Sequence, residues 1–249
     1  MANYQGGSVA AWRLNPDGSL GERTAFVQHS GHSINPQRQT HAYAHSIVVD
    51  LSNRFVLVAD LGLDKLFVYR FDPANGSLTP NDPAYASITP GSGPRHVVFH
   101  PNGRWVYLIT EMGSTVHLFD WSGQRGTLTE EQSISTLPRD FHGTSTAAEI
   151  KVSRDGRFLY ASNGGHDSIA VFSIDQRNGR ITSIQNVSSR GQMPRNFEID
   201  PTGQWLLVTN HNSNSAAVFR IDRKTGRLAA VGQPVAVNYP FCPRFLERR

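Results

Sequence analysis

Three basic side chains recur at one position of an internal repeat in this 249-residue chain. His45, Arg95 and Arg195 each stand nine residues before a basic or amide residue that ends a tight turn. The turn residues that mark this register are Arg54, Arg104, Arg157 and Gln204. An imidazole is suited to take a proton from water near neutral pH, and a guanidinium can stabilise a forming oxyanion or grip a phosphate or carboxylate. These types together suit hydrolysis at a carbonyl carbon of an anionic substrate.

The repeat that positions them is a turn followed by an apolar strand, spaced by 50, 53 and 47 residues between successive turn markers. A second strand follows each copy, and Ser8-Val-Ala-Ala-Trp-Arg-Leu begins a fifth copy near the N-terminus. A fixed period of this size in β-rich sequence indicates a β-propeller, with one four-stranded antiparallel blade per repeat. Equivalent residues on a ring point at a common centre. We therefore expect His45, Arg95 and Arg195 to converge at one end of the central channel.

Further polar residues should lie beside these three. One position later in the register come Ser46, His96, Glu149 and Asn196. Glu111 belongs to the loop after a second strand, where the other copies carry Tyr4, Leu61, Gly164 and His211. A carboxylate inside a strand needs a partner when it is buried, so we expect Glu149 to pair with a channel arginine rather than to transfer protons.

We predict a single all-β domain over residues 1–249. Its five blades are expected at approximately 1–40, 41–92, 93–145, 146–192 and 193–241. The first copy lacks its innermost strand, because Met1-Ala-Asn-Tyr aligns with the end of a second strand. Cys242-Pro-Arg-Phe-Leu-Glu aligns with innermost strands, so we expect residues 242–249 to supply the missing strand and close the ring, which would remove exposed sheet edges.

Composition narrows the function classes. The formal net charge of +4 is scattered without a basic block, which argues against nucleic acid as a partner. No apolar run approaches the roughly 18 residues of a membrane span. Cys242 is the single cysteine, so the chain forms no internal disulfide, and His41 and His45 lack a third zinc ligand. Met1-Ala-Asn-Tyr shows no signal peptide, and we expect a cytoplasmic monomer or weak homo-oligomer without metal or cofactor.

The chain resembles the β-propeller lactonase family, which includes propeller-type 6-phosphogluconolactonases and a fungal carboxy-muconate cyclase. The segments that carry the resemblance are Ala2-Asn-Tyr-Gln-Gly-Gly-Ser-Val, Arg38-Gln-Thr-His-Ala-Tyr-Ala-His-Ser, Val58-Ala-Asp-Leu-Gly, Gly93-Pro-Arg-His, Thr146-Ala-Ala-Glu-Ile, Gly165-His-Asp-Ser-Ile-Ala-Val-Phe and Met193-Pro-Arg-Asn-Phe. Complete members have seven blades, and this chain holds about five. The resemblance therefore implies either that the first two blades are missing or that the ring is shortened.

The resemblance also implies site residues. The fungal cyclase's proposed site has one histidine, two arginines and one glutamate, which match His45, Arg95, Arg195 and Glu111 here. Substrate-binding roles fall to His96, Glu149, Asn196 and His166, the last as a loop residue that shapes the rim. Structural roles stay open: His45 could bond across blades, Arg95 and Arg195 could brace blades through backbone carbonyls, and Arg244 could serve ring closure.

The implied function is hydrolysis of a sugar lactone, a small anionic molecule. The leading substrate is 6-phosphogluconolactone, which yields 6-phosphogluconate in the pentose phosphate pathway. One alternative is a cyclase or hydrolase for a muconate-type lactone, in which the arginines hold carboxylates. The other is a non-catalytic propeller that binds a protein partner.

Overall fold

The fold is a series of five antiparallel β-sheets, seen in a computed structural model that describes residues 1–246. The strands of the first two sheets are β1 (Ala2–Asn3), β2 (Ser8–Leu14), β3 (Leu20–Gln28), β4 (Ala44–Val49), β5 (Phe55–Asp60), β6 (Lys65–Asp72) and β7 (Ser77–Ser87). Those of the third and fourth are β8 (Pro94–Phe99), β9 (Trp105–Thr110), β10 (Thr115–Ser122), β11 (Thr127–Ser135), β12 (Thr146–Val152), β13 (Phe158–Gly164), β14 (Ser168–Ile174) and β15 (Ile181–Ser188). The fifth has β16 (Pro194–Ile199), β17 (Trp205–Asn210), β18 (Ser215–Ile221) and β19 (Leu228–Ala236).

Each sheet is an up-and-down meander in chain order, and four of the five have four strands. The innermost strands β4, β8, β12 and β16 neighbour one another in that order and line one channel. The prediction of an all-β propeller with about five blades is confirmed. So is the missing innermost strand of the first blade, because the first sheet has only β1, β2 and β3.

Apolar second strands build the core between the sheets. β5 and β9 are buried along their whole length, as is β13. Side chains buried on both faces of a sheet read as continuous apolar runs, which is why these strands are rich in Val, Leu and aromatic residues. Separate apolar clusters fill the spaces between successive sheets. Sheet-on-sheet burial therefore holds the innermost strands in place.

At three of these interfaces, a glycine of one sheet packs against an aromatic ring of the preceding sheet. In each case the glycine ends a turn in the following sheet with φ of 72° or 75°, and an added Cβ would lie 2.3–2.5 Å from the ring. The pairs are Gly126 with Phe55, Gly179 with Trp105, and Gly226 with Phe158. Trp205 is the equivalent aromatic of the fifth sheet and is partly exposed. The positive φ and the close ring both require glycine at these turns.

The expected closing strand is not present in the described part of the C-terminal segment. Residues 242–246 form no strand and pair with none of β1, β2 and β3, and residues 247–249 lie outside the described residues. The segment instead contacts the fifth sheet, where Arg244 Nη1 donates to Glu198 Oε2 at 2.7 Å. Phe241 packs on the ring of His211 and under the guanidinium of Arg195. These contacts hold the segment on β16 and β17 rather than beside the short β1.

Within residues 1–246 there is no helix of the length and apolarity needed to cross a membrane.

Candidate active site

β-bulges place the three basic residues. Ala44 pairs with Asp60 and Ser46 with Ala59, so His45 lies opposite no single partner. The pairing skips Arg95 between β8 and β9, and Arg195 between β16 and β17, in the same way. In a regular strand, successive side chains alternate between faces, and a bulge breaks that alternation. Two consecutive residues of each innermost strand, such as Arg95 and His96, can therefore contribute to the same site.

Hydrogen bonds from backbone N–H groups to aspartates fix the residues that precede two of the innermost strands. The Gly93 N–H donates to Asp64 Oδ1 and the Met193 N–H to Asp167 Oδ1, both at 2.8 Å. Asp64 and Asp167 each sit in the β-turn of the preceding blade with positive φ, 50° and 54°. The carboxylate of one blade thus anchors the strand that carries Arg95 or Arg195 in the next blade.

Glu111 is held between two blades and gathers the arginines. Its N–H donates to the Gly93 carbonyl at 2.7 Å, and its carbonyl accepts from the Ala147 N–H at 3.0 Å. Arg95 Nε donates to Glu111 Oε2 at 3.1 Å, and Arg38 Nη2 donates to the other oxygen. We call Arg38, His45, Arg95 and Glu111 the mouth cluster. Glu111, expected beside the channel mouth, is thus in contact with Arg95, one of the residues expected to converge there.

Arg95 also braces the blades. It is 3% exposed, and its Nη1 donates to the carbonyl of Ala148 on β12 at 2.6 Å. Burial lowers the pKa of Arg95, while the charge of Glu111 opposes that shift. The structural role that the sequence left open is therefore present, together with a position in the mouth cluster.

His45 has a carboxylate nearby but no hydrogen bond to it. Its Nε2 lies 4.0 Å from Glu111 Oε2, and its buried Nδ1 has no hydrogen-bond partner among residues 1–246. The ring meets Tyr4 and His96 edge-on, with centroids 5.2 Å apart in each case. Burial, followed by the charges of Arg95, His96 and Arg195, lowers the pKa of His45 to about 2. His45 is therefore neutral at physiological pH.

Deeper in the channel, a second group links three blades. His96 Nδ1 lies 3.0 Å from Glu149 Oε1, and Asn196 Nδ2 donates to Glu149 Oε2. We call His96, Glu149 and Asn196 the inner cluster. The expectation that Glu149 pairs with a channel arginine is wrong, because Arg95 is turned toward Glu111 and Ala148 and leaves His96 as the partner.

The charge state of Glu149 follows from these contacts. Its side chain is 5% exposed. Burial by itself would raise the pKa of Glu149, but the charge and hydrogen bond of His96, with Lys151 and the Ile150 N–H, hold that pKa below its ordinary value. The inner cluster thus contains an ionised carboxylate next to an imidazole.

Arg195 differs from Arg95 in having no polar partner. Its guanidinium lies 5.2 Å from the centroid of the Phe241 ring and makes no hydrogen bond or ion pair within residues 1–246. It is close enough for its charge to act on both His45 and Arg95. Arg195 therefore presents an uncommitted positive charge near the mouth cluster.

The remaining expected residue, His166, lies apart from both clusters. Its Nδ1 lies 2.7 Å from Ser168 Oγ, and its ring meets Phe141 edge-on at 4.6 Å. Its substrate-binding role remains a prediction. Sequence reasoning missed Arg38, which lies outside the repeat register, and its hydrogen-bond partner Tyr4. The match of Arg38-Gln-Thr-His to the family was the available signal for Arg38.

A cavity of about 510 Å³ opens below the mouth cluster. It is lined by the innermost strands β4, β8, β12 and β16, with His96, Glu149 and Asn196 among its polar residues. Ser46 Oγ and Asn196 Oδ1 belong to lining residues and have no hydrogen-bond partner within residues 1–246. No three His, Cys, Asp or Glu side chains in that range are grouped so as to hold a metal ion.

The chain is thus a propeller of five sheets with arginines, histidines and two glutamates at its channel. The family model described as lactonase, 7-bladed beta-propeller, matches residues 1–245, and the chain belongs to that family.

The relatives include named lactonases. The chain is 36% identical over 247 residues to a 6-phosphogluconolactonase of Bacillus subtilis, covering 99% of this chain and 69% of that protein. A solved Lactobacillus plantarum protein superposes with a TM-score of 0.93 at 35% identity, over 99% of this chain and 70% of the other. The periplasmic gluconolactonase of Pseudomonas aeruginosa gives a TM-score of 0.89 at 34% identity, over 96% and 67%.

Proposed function

We propose that this protein hydrolyses a sugar lactone that carries an anionic group, with 6-phosphogluconolactone as the leading substrate and 6-phosphogluconate as the product. The observation that carries the proposal is the unpaired guanidinium of Arg195 next to the neutral His45 and the buried Arg95. The relationship to a Bacillus subtilis 6-phosphogluconolactonase supports it. That product would place the enzyme in the pentose phosphate pathway.

The arginines are suited to two different tasks. Arg95 is fixed by Glu111 and the Ala148 carbonyl, so its position needs no reorganisation as charge develops on a lactone carbonyl oxygen. Arg195 makes no hydrogen bond or ion pair within residues 1–246, and a guanidinium binds phosphate through two parallel hydrogen bonds. We assign the carbonyl oxygen to Arg95 and the phosphate to Arg195.

His45 fits the role of a neutral hydrogen-bond donor. A neutral imidazole with a strongly lowered pKa polarises a carbonyl in triosephosphate isomerase, and His45 has the same electrostatic character. Its Nε2 lies 4.0 Å from Glu111, without a close bond that a substrate would have to break. A lactone carbonyl placed between His45 and Arg95 would be polarised from both sides.

The arginines alone also suit a substrate with carboxylates, which keeps the muconate-type lactone as an alternative. The phosphate is what distinguishes the two, because it is the group assigned to Arg195. A comparison of phosphorylated and unphosphorylated lactones therefore tests the proposal more sharply than activity alone.

We expect Arg195→Ala to lower kcat/KM for 6-phosphogluconolactone about 10- to 100-fold, as for loss of a hydrogen bond to a charged group, and to change hydrolysis of glucono-δ-lactone little. The assay holds the pH constant and subtracts spontaneous ring opening. Arg190→Ala is the matched control, since Arg190 is exposed and its guanidinium donates to the exposed Gln233. No wild-type rate above background would refute the lactonase proposal. An equal loss for both lactones would refute only the phosphate assignment.

A further inference from the structure

The inner cluster contains a carboxylate–imidazole pair that the mouth cluster lacks. Glu149 accepts at 3.0 Å from Nδ1 of His96, and it is itself fixed by the Ile150 N–H at 3.0 Å and by Asn196. Since the ionised Glu149 can only accept hydrogen bonds, the proton of neutral His96 resides on Nδ1. Nε2 then carries the lone pair, and the donor that contacts it among residues 1–246 is Arg95 Nη1, at 3.4 Å.

The accepting nitrogen lies beside the group that would hold the lactone. Arg95 Nη1 donates to the Ala148 carbonyl at 2.6 Å and makes a longer contact of 3.4 Å with His96 Nε2, which a water molecule at Nε2 would have to replace. The His96 side chain is 24% exposed, which leaves room for a water molecule at the ring. A water at this place would be next to a carbonyl carbon whose oxygen is bound by Arg95.

His45 does not offer the same chemistry. Its Nδ1 has no partner among residues 1–246, and no carboxylate lies within hydrogen-bond distance of its Nε2. A general base needs a group that stabilises the imidazolium once the proton has been taken, as the aspartate does in hydrolytic triads. The lowered pKa of His45 agrees with this, because it disfavours a charged ring at that position.

We propose that His96, oriented by Glu149, is the general base of the lactone hydrolysis, and that Glu149 is its positioning residue. The proposal rests on the lactonase function proposed above. His45 then contributes to binding the carbonyl and does not take up the proton.

The reaction balances with these groups alone. His96 Nε2 takes a proton from water as the water oxygen bonds to the carbonyl carbon, and the carbonyl electron pair moves onto the oxygen held by Arg95. The tetrahedral intermediate then collapses, the bond from that carbon to the ring oxygen breaks, and the imidazolium returns its proton to the leaving oxygen. The new carboxylic acid loses its proton to solvent.

The cavity below His96 suits the rest of the substrate. Its volume of about 510 Å³ exceeds what a six-carbon lactone needs, and it shares His96 with the base position. The unpartnered Ser46 Oγ and Asn196 Oδ1 belong to residues that line it. Both atoms are themselves buried in the channel wall, so neither is assigned to a substrate group.

The decisive comparison is between the two histidines. We expect His96→Gln to lower kcat at least about 100-fold, the usual contribution of a general base, with KM changed less than about threefold. His45→Gln keeps a donor near the carbonyl and should lower kcat about tenfold or less. Melting curves of both variants show that the comparison is made on folded protein.

Chemical rescue separates proton transfer from structure. Added imidazole should restore the rate of His96→Ala in proportion to the concentration of its neutral form, and should not restore His45→Ala. Rescue of His45→Ala alone would overturn the proposal, and so would an active wild type in which His96→Gln is unimpaired. Absence of activity in the wild type would refute the proposed lactonase function itself. This outcome is distinct from an active wild type with a wrong assignment of the base.

Glu149→Gln tests the positioning role through the pH profile. The titratable and charged groups facing His96 are Arg95 on β8, His45 on β4 and Glu149 on β12, and Lys151 acts on Glu149. Removing the negative charge destabilises the imidazolium, so the acidic limb of kcat/KM should move to lower pH while the plateau falls. An unchanged profile at reduced rate would show a merely structural Glu149 and overturn this part.

Discussion

Two glutamates stand in the same channel and have opposite partners. Glu111 in the mouth cluster accepts from Arg38 and Arg95, and the nearest imidazole, His45, stays 4.0 Å away. Glu149 in the inner cluster accepts from His96 and has no hydrogen bond to an arginine within residues 1–246. The first carboxylate fixes positive charge in place. The second orients an imidazole, with Nδ1 toward the carboxylate and Nε2 toward Arg95.

The comparison shows that residue types alone do not assign roles. Both clusters contain histidine and glutamate, and Arg95 contacts both of them. The bulge brings Arg95 and His96, two consecutive residues of β8, to the same channel, and Arg95 bonds Glu111 whereas His96 bonds Glu149. A role for either glutamate follows only from its hydrogen bonds.

The largest expected effect is on stability at the mouth cluster. Glu111→Gln removes the charge partner of Arg95, which is 3% exposed, and breaking a buried ion pair costs about 3–5 kcal/mol. Glu149→Gln replaces one accepting oxygen by an NH₂ group opposite His96 or Asn196 and should cost about 1–3 kcal/mol. Urea unfolding at pH 7 compares the two. If Glu149→Gln lowers the free energy of unfolding more than Glu111→Gln does, the expected difference between the two clusters is wrong.

A second prediction concerns His45 and acid stability. Burial and the neighbouring positive charges lower the pKa of His45 to about 2 in the folded protein, below its ordinary value of 6.5. The unfolded chain therefore binds one more proton between these values, and the folded state loses stability as pH falls below about 6.5. The expected loss is about 2–3 kcal/mol between pH 6.5 and pH 4.5.

His45→Gln should remove that part of the pH dependence, which is measured as the difference in free energy of unfolding between pH 6.5 and pH 4.5. His32→Gln serves as the control, since His32 is exposed and outside the channel. If the wild type and His45→Gln lose equal stability over this interval, the buried neutral state of His45 is wrong.

The smallest expected effect lies in the cavity. Ser46→Ala removes a buried hydroxyl that has no hydrogen-bond partner within residues 1–246, and should change KM less than about twofold with kcat unchanged. Ser135→Ala, on an exposed position of β11, is the matched control. A fall in kcat without a change in KM would place Ser46 in the chemistry instead of in binding.

The sequence predicted the fold well because its signal is periodic. Turn markers at a regular spacing and apolar second strands were enough to place the innermost strands and their first residues, including His45 and Arg95. The bulges were not visible, because the register shift arises from pairing with the second strand. This is why the partner of Glu149 was assigned to the wrong residue.

Arg38 illustrates a different limit. It reaches Glu111 from a segment without strands, between β3 and β4, where no repeat register applies. The closing strand expected over residues 242–249 is not formed by residues 242–246, for a related reason. The match of Cys242-Pro-Arg to innermost strands compares sequence alone, whereas β1 offers only Ala2 and Asn3 as an edge.

The glycine-on-aromatic contact has the same polarity at each of the three interfaces. Each interface of this kind takes its ring from one sheet and its glycine from the next, so a single joint is copied from sheet to sheet. A sheet added by gene duplication would already contain both the aromatic residue and the turn glycine of this contact. Its glycine would pack on Trp205, the equivalent aromatic residue of the fifth sheet. An architecture built by radial repetition can thus vary its number of blades without a new interface having to evolve.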